Sequence, residues 1–189
     1  ASLSVQSESL NILSYNVYFD DESGNKRYPD IIKFIKDNHF DVIALQECTP
    51  KFIEQLFNDD YFSPFYRQQG KSKHGYTNVV LTSLPISDFG IINHVSNMGR
   101  TAPFITLKDT RLSIVSVHLE SGYFDSDVRK QQLKQIKSFD GLAANIIIAG
   151  DYNFADGDEE EMLLSDFIDL GKQANEVTYD VENNELAIE

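Results

Sequence analysis

The segment NIIIAGDYN, residues 145–153, sets the reading of this chain. Its run 145–149 is rich in Ile and too short for a whole helix, so it reads as a buried strand. The strand ends on Asp151 and Asn153. Two positions apart in an extended segment, their side chains point to the same side. A carboxylate beside an amide can hold and activate one water while orienting a phosphate. Gly150 lets the backbone approach a neighbour closely.

Runs of the same kind recur at 10–15, 41–45, 76–81, 104–107 and 112–117. Three of them also close on polar residues: SYN at Asn16, LQE at Glu47, and SVHLES with His118 and Ser121. Strand ends are where a rigid sheet presents groups to a cleft. Helical patterns lie between the runs. Pro29-Asp30 opens one, with Ile31, Ile32 and Ile35 on one face. Pro50 opens a second, with Phe52, Ile53, Leu56 and Phe57. A third covers 125–139 with Val128, Gln132, Leu133 and Ile136, and a fourth starts near Asp158 with Met162, Leu163, Phe167 and Leu170. Longer loops are expected at 20–28, 68–75 and 96–102. Strands mixed with helices throughout make the chain α/β or α+β with mixed sheets. Residues 1–9 read as a polar N-terminal tail and 10–189 as one domain.

The 189 residues suffice for one domain with a substantial core, and 41% hydrophobic residues with 13 Phe and 9 Tyr point to a globular fold. No apolar run approaches the ~20 residues that span a bilayer, and the polar start lacks a signal-peptide shape, so no membrane partner is expected. Cys48 is the single cysteine, which excludes an intramolecular disulfide framework and a cysteine zinc cage. An intracellular home, nucleus or cytoplasm, is expected. The net charge of −14 argues against a broad grip on nucleic-acid phosphates. Such a grip has to be local, to use bound cations, or to come from residues outside this chain.

Each chemical residue also has a plainer reading. Glu47 can be a solvated strand end, although a carboxylate after an apolar run is costly unless paired or bound to a cation. His118 can be a satisfied core histidine, Asp151 a turn aspartate, and Asn16 a cap on neighbouring backbone. The loop RQQGKSKHG (67–75) gathers Arg67, Lys71, Lys73 and His74, either as a contact to a nucleic-acid backbone or as a solvated loop. The acidic run 156–161 reads as a helix N-terminus complementing its dipole. Tyr15, Tyr18 and Tyr152 flank the candidate site and can stack on a base or a tyrosyl ring, or pack in the core.

In this order, SYN (14–16), LQE (45–47), SVHLES (116–121) and AGDYN (149–153) resemble the signature of the DNase I-like endonuclease/exonuclease/phosphatase superfamily, over nearly the whole chain. HLES, LQECTP (45–50), SNMGR (96–100) and VTYD (177–180) with Asn183 and Asn184 resemble its 5′-tyrosyl-DNA phosphodiesterase branch. The resemblance implies two mixed β-sheets packed as a sandwich with outer helices. It implies hydrolysis of 5′-phosphotyrosyl bonds between protein and DNA, a DNA-repair activity, with Mg²⁺ as cofactor and Mn²⁺ as substitute. By resemblance Glu47 is the carboxylate ligand of the ion, with Asn16 close to ion and phosphate. Asp151 is the general base, and Asn153 positions the attacking water or the phosphate. His118 and Ser121 hydrogen-bond the phosphate oxygens, and Arg100 and Tyr18 belong to the substrate-binding set. A tyrosyl phenol, with a pKa of about 10, leaves with less acid assistance than an alkyl alcohol.

The chain departs from the family pattern in three places. The Ser-Asp-His motif that closes the pattern is absent from these residues. The expectation is therefore a C-terminally incomplete domain, completed by further residues or another chain and without turnover alone. Tyr18 stands where phosphotyrosyl enzymes carry an acidic residue, and Phe154-Ala155 where they carry an arginine. Two alternatives follow: another nuclease or phosphatase of the superfamily, or a catalytically silent binding domain.

Overall fold

Alternation of side chains along the central strands builds this molecule. In a computed structural model of the protein, which describes residues 9–71 and 73–171, eight strands form two mixed four-stranded sheets. The first contains β1 (Ile12–Asn16), β2 (Val42–Cys48), β3 (Tyr66–Gln69) and β4 (Thr77–Thr82), in the order β1-β2-β4-β3. The second contains β5 (Ile86–Ile92), β6 (Ala102–Leu107), β7 (Leu112–His118) and β8 (Asn145–Asp151), in sequence order. The pairs β1–β2 and β7–β8 are parallel and the others antiparallel.

Three apolar layers hold the sheets and helices together. Val42 and Val80 meet Ile105, Leu107 and Ile114 between the sheets. The intervening residues of β2 and β4, Ile43, Leu45, Val79 and Leu81, point outward under α1 (Asp21–Asn38) and α2 (Pro50–Phe57), where Tyr28, Ile35, Phe52 and Leu56 cover them. On the other outer face Phe104, Val115 and Val117 pack under Leu133 and Ile136 of α3 (Ser126–Lys137). Because β2, β4 and β6 are covered on both faces, they read as unbroken apolar runs instead of alternating ones. The expected α/β sandwich with outer helices is the observed fold.

Several boundaries differ. The segment expected as a loop before Pro29 is helical from Asp21, and Pro29 lies inside α1. The Asp20 carboxylate accepts the Glu22 N–H and starts the helix early. Fully buried Tyr28 packs edge-on against Phe52 and anchors the helix ahead of the proline. Thr49 caps α2 through the Phe52 N–H, with Pro50 in the first turn as the sequence suggests. The fourth helix shrinks to a short 3-10 helix, Glu159–Leu164, and its acidic run does more than face a dipole. Glu160 is buried in an ion pair with Arg129 of α3 at 2.7 Å. β3 and β5 lack an apolar run because they are edge strands facing solvent, and β3 takes up the start of the loop expected at 68–75. No helix among the described residues is long and apolar enough to cross a membrane. The VTYD segment, Asn183 and Asn184 lie outside the described residues.

Candidate active site

Glu47 owes its position to an irregularity in β2. The β2–β4 register shifts between Leu45 and Cys48, and Glu47 sits in the shift with φ 57°, a left-handed conformation that re-aims its side chain. Its Oε1 accepts from Asn16 Nδ2 at 2.9 Å and its Oε2 from the Phe19 N–H at 3.0 Å. The same Asn16 nitrogen donates to Asp151 Oδ2 at 3.0 Å. One amide therefore ties together two carboxylates carried by different sheets. Asn16 Oδ1 accepts the Tyr18 N–H at 2.9 Å, so toward the carboxylates Asn16 is purely a donor.

Between the two carboxylates stands His118, 2% exposed, with Nε2 at 3.7 Å from Glu47 Oε1 and 3.9 Å from Asp151 Oδ2. Burial, reinforced by the Arg100 guanidinium, lowers the His118 pKa to about 4 against the pull of Asp151, so the ring is neutral near neutral pH. Its buried Nδ1 has no hydrogen-bond partner among the described residues. Two converging carboxylates with an amide and a neutral ring between them gather negative charge at one place. Such a donor set fits a hard divalent cation that takes one or two carboxylates and keeps several waters. Among the described residues no three His, Cys, Asp or Glu side chains gather as a metal cage. The Cys48 thiol is held well above its ordinary range, first by burial and then by Glu47, so it stays protonated beside the site.

Asp151 and Asn153 meet differently from the extended arrangement their spacing suggests. Asn153 is left-handed, with φ 53°, and its N–H donates to Asp151 Oδ1 at 3.1 Å. The chain turns directly after β8. Asn153 Nδ2 then donates to the Leu119 carbonyl at 2.9 Å. Gly150 is required just before: a Cβ there would stand 1.9 Å from the Val117 carbonyl oxygen of β7.

The Leu119 carbonyl also accepts from Arg100 Nη1. Arg100 Nη2 reaches Tyr76 Oη and Ser121 Oγ, each at 3.2 Å, so Arg100, Ser121 and Asn153 share one corner of the cleft. Glu120, fully buried, holds that corner from beneath. Its carboxylate accepts the Met98 N–H at 2.7 Å, the Ser96 hydroxyl at 2.8 Å and Gln132 Nε2 at 3.1 Å. This pins the SNMGR loop to α3.

Asn16, Glu47, His118 and Asp151 thus come together, and Arg100, Ser121 and Asn153 form a second group joined through Leu119. Tyr18 enters through its backbone; its ring lies 5.3 Å from the Arg27 guanidinium and 5.5 Å from Phe19. Tyr152 does not face the site. It packs with the α3-side core and donates to the Ile148 carbonyl. Arg67 leaves the basic group to lie 4.1 Å over the Phe57 ring, whereas Lys71, Lys73 and His74 line a shallow pocket with Met98 and Arg100. Glu120, Tyr76 and Phe19 were not anticipated. For Glu120 the signal was present: it is a carboxylate just after a buried strand, as Glu47 is.

The sequence profile of the Endonuclease/Exonuclease/phosphatase family matches residues 13–163. Among solved structures, D. rerio TDP2 complexed with single strand DNA product is similar at a TM-score of 0.73 and 24% identity, over 90% of this chain and 72% of that one. A humanized D. rerio TDP2 gives 0.68 and 24%, over 82% and 66%. An endonuclease/exonuclease/phosphatase from Bacteroides vulgatus gives 0.66 and 15%, over 83% and 70%. The chain spans just under two thirds of the humanized protein's length, and at these identities the likeness is one of fold. No curated protein sequence matches the chain significantly.

Proposed function

Because the chain belongs to the endonuclease/exonuclease/phosphatase family, we propose that it is a divalent-metal phosphodiesterase that hydrolyses 5′-phosphotyrosyl bonds joining protein to DNA. The observation that carries the proposal is the single Asn16 amide spanning Glu47 and Asp151 beside a neutral His118. Glu47, with Asn16 beside it, would hold Mg²⁺ or its substitute Mn²⁺. Bound there, the ion supplies neutralisation of charge on the phosphate and leaving oxygens.

The chain's own groups do the rest. Asp151 is kept in place by the Asn153 N–H on one oxygen and by Asn16 on the other, and takes the proton of the attacking water. His118, neutral, donates from its protonated nitrogen to a phosphate oxygen. Arg100 and Ser121 present further donors where negative charge builds, preorganised by the Glu120 scaffold. Asn153 orients water or phosphate from the same corner. Tyr18 flanks the substrate entrance. A DNA substrate accords with the single strand DNA product carried by the D. rerio TDP2 structure.

A second reading, another nuclease or phosphatase of the family, is favoured by one observation: Phe154-Ala155 follows the GDYN motif, where a phosphotyrosyl enzyme would carry an arginine. The test is to offer the intact protein a 5′-phosphotyrosyl oligonucleotide, an abasic duplex and poly(A), each with Mg²⁺ and with chelator. Release of tyrosine from the first, abolished by chelation, is expected. Preferred cleavage of abasic DNA or poly(A) selects the second reading. Mg²⁺ binding without turnover on any substrate identifies a silent binding domain.

A further inference from the structure

Two aromatic rings stand out from the surface beside the cleft. Tyr123 and Phe124 are 88% and 93% exposed, in a T-shaped pair with centroids 5.0 Å apart. The turn that displays them is firmly fastened. Arg129 Nη1 donates to the Glu120 and Gly122 carbonyls at 3.1 and 2.9 Å, and its guanidinium is itself fixed by buried Glu160. The Asp125 N–H closes the turn onto the Gly122 carbonyl at 3.0 Å. Rings presented on a fixed turn lose little freedom when a ligand settles on them.

The turn continues directly into the site. Ser121, two residues before Tyr123, contacts Arg100 at 3.2 Å and Met98 Sδ at 3.3 Å. On the other side of the SNMGR loop, the Lys73 side chain lies against Gly99, and Lys71 and His74 line the same shallow pocket as Arg100. The segment that carries the aromatic turn and the basic loop therefore both touch the loop that carries Arg100. A chain of net charge −14 gains little from long-range attraction to a polyanion. Stacking bases on exposed rings supplies affinity that does not depend on net charge, and it tolerates any sequence.

We propose that Tyr123 and Phe124 form a base-stacking platform for single-stranded DNA flanking the scissile phosphate, with Lys71, Lys73 and His74 meeting phosphates of the same strand. The proposal rests on the phosphodiesterase reading for its polarity toward the site, and binding can be measured independently of turnover. Fluorescence anisotropy with a short oligo(dT) and with an abasic strand of equal charge, in chelator, compares the protein with the double variant Tyr123→Ala/Phe124→Ala. Thermal unfolding of the variant serves as the folding control; both positions are exposed, so it is expected to match the parent.

The platform requires a loss of oligo(dT) affinity of about tenfold or more, as stacking on one or two rings provides. It also requires an unchanged, weak affinity for the abasic strand. Equal oligo(dT) affinity in parent and variant, or equal losses on both strands, overturns it. So does a variant that loses binding to phosphatidylcholine vesicles and keeps oligo(dT), which would make the rings a lipid-seeking loop. If the parent shows ring-dependent oligo(dT) binding and no turnover of the phosphotyrosyl substrate, the platform stands and the hydrolase reading fails.

Discussion

Asn16 spends both amide protons on carboxylates from different sheets, and what it holds together is negative charge. A cation that enters there removes the repulsion, so the folded protein should be stabilised by Mg²⁺ in proportion to its binding. Glu47→Gln is expected to abolish Mg²⁺ binding by calorimetry and the Mg²⁺-dependent rise in Tm, while unfolding stays cooperative. Asp151→Asn keeps an acceptor for the Asn153 N–H and loses the base. Turnover should fall by about 10²–10⁴-fold, with far less change in substrate affinity; near-normal turnover would place the base elsewhere. His118 makes a pH prediction. Its folded pKa, about 4, lies below the ordinary value of 6.5, so the unfolded chain takes up the proton first as pH falls. Its neutral burial therefore costs nothing above about pH 6.5, and stability drains away between there and about 4, by roughly 3 kcal/mol in all. His118→Asn should flatten that part of the stability–pH curve measured by urea titration.

At the scale of elements, burial decided what could be read in advance. β2, β4, β6 and β7 announce themselves because both faces are covered, and their apolar runs admit no other use. β3 and β5 carry YRQQ and ISDFGII on exposed edges, so nothing local distinguishes them from loop. The start of α1 was hidden for another reason. Its first turns depend on Asp20 as a cap and on Tyr28 reaching Phe52, tertiary facts that outweigh the breaker at Pro29. The site shows the same division. Asn16, Glu47, His118 and Asp151 were legible as polar ends of apolar strands. Glu120 carried the same signal, but its links to Ser96 and Gln132 were not legible, because they are contacts of a loop and a helix that the strand pattern says nothing about. The close approach of β7 and β8 gives an element-scale test. Gly150→Ala would drive a Cβ into main chain, not into a yielding side chain. It should cost at least the about 1–3 kcal/mol of ordinary overpacking. A variant as stable as the parent by thermal unfolding would mean that β8 can shift freely.

Considered as a whole molecule, among the described residues the first sheet is built from 12–82 and the second from 86–151, with one crossing between them. Each half has its own helices and its own outer core, and each supplies one of the two carboxylates that Asn16 bridges. Severing the chain at 83–85 would leave two half-molecules, each holding an incomplete set of ligands. Their reassembly would then answer to the ion: whatever binds where the halves meet draws them together. Co-expressed halves are expected to copurify more strongly in Mg²⁺ than in chelator, and a first half carrying Glu47→Gln should lose that difference. The join between sheets would in this way become a reporter of divalent cation, read as association instead of catalysis.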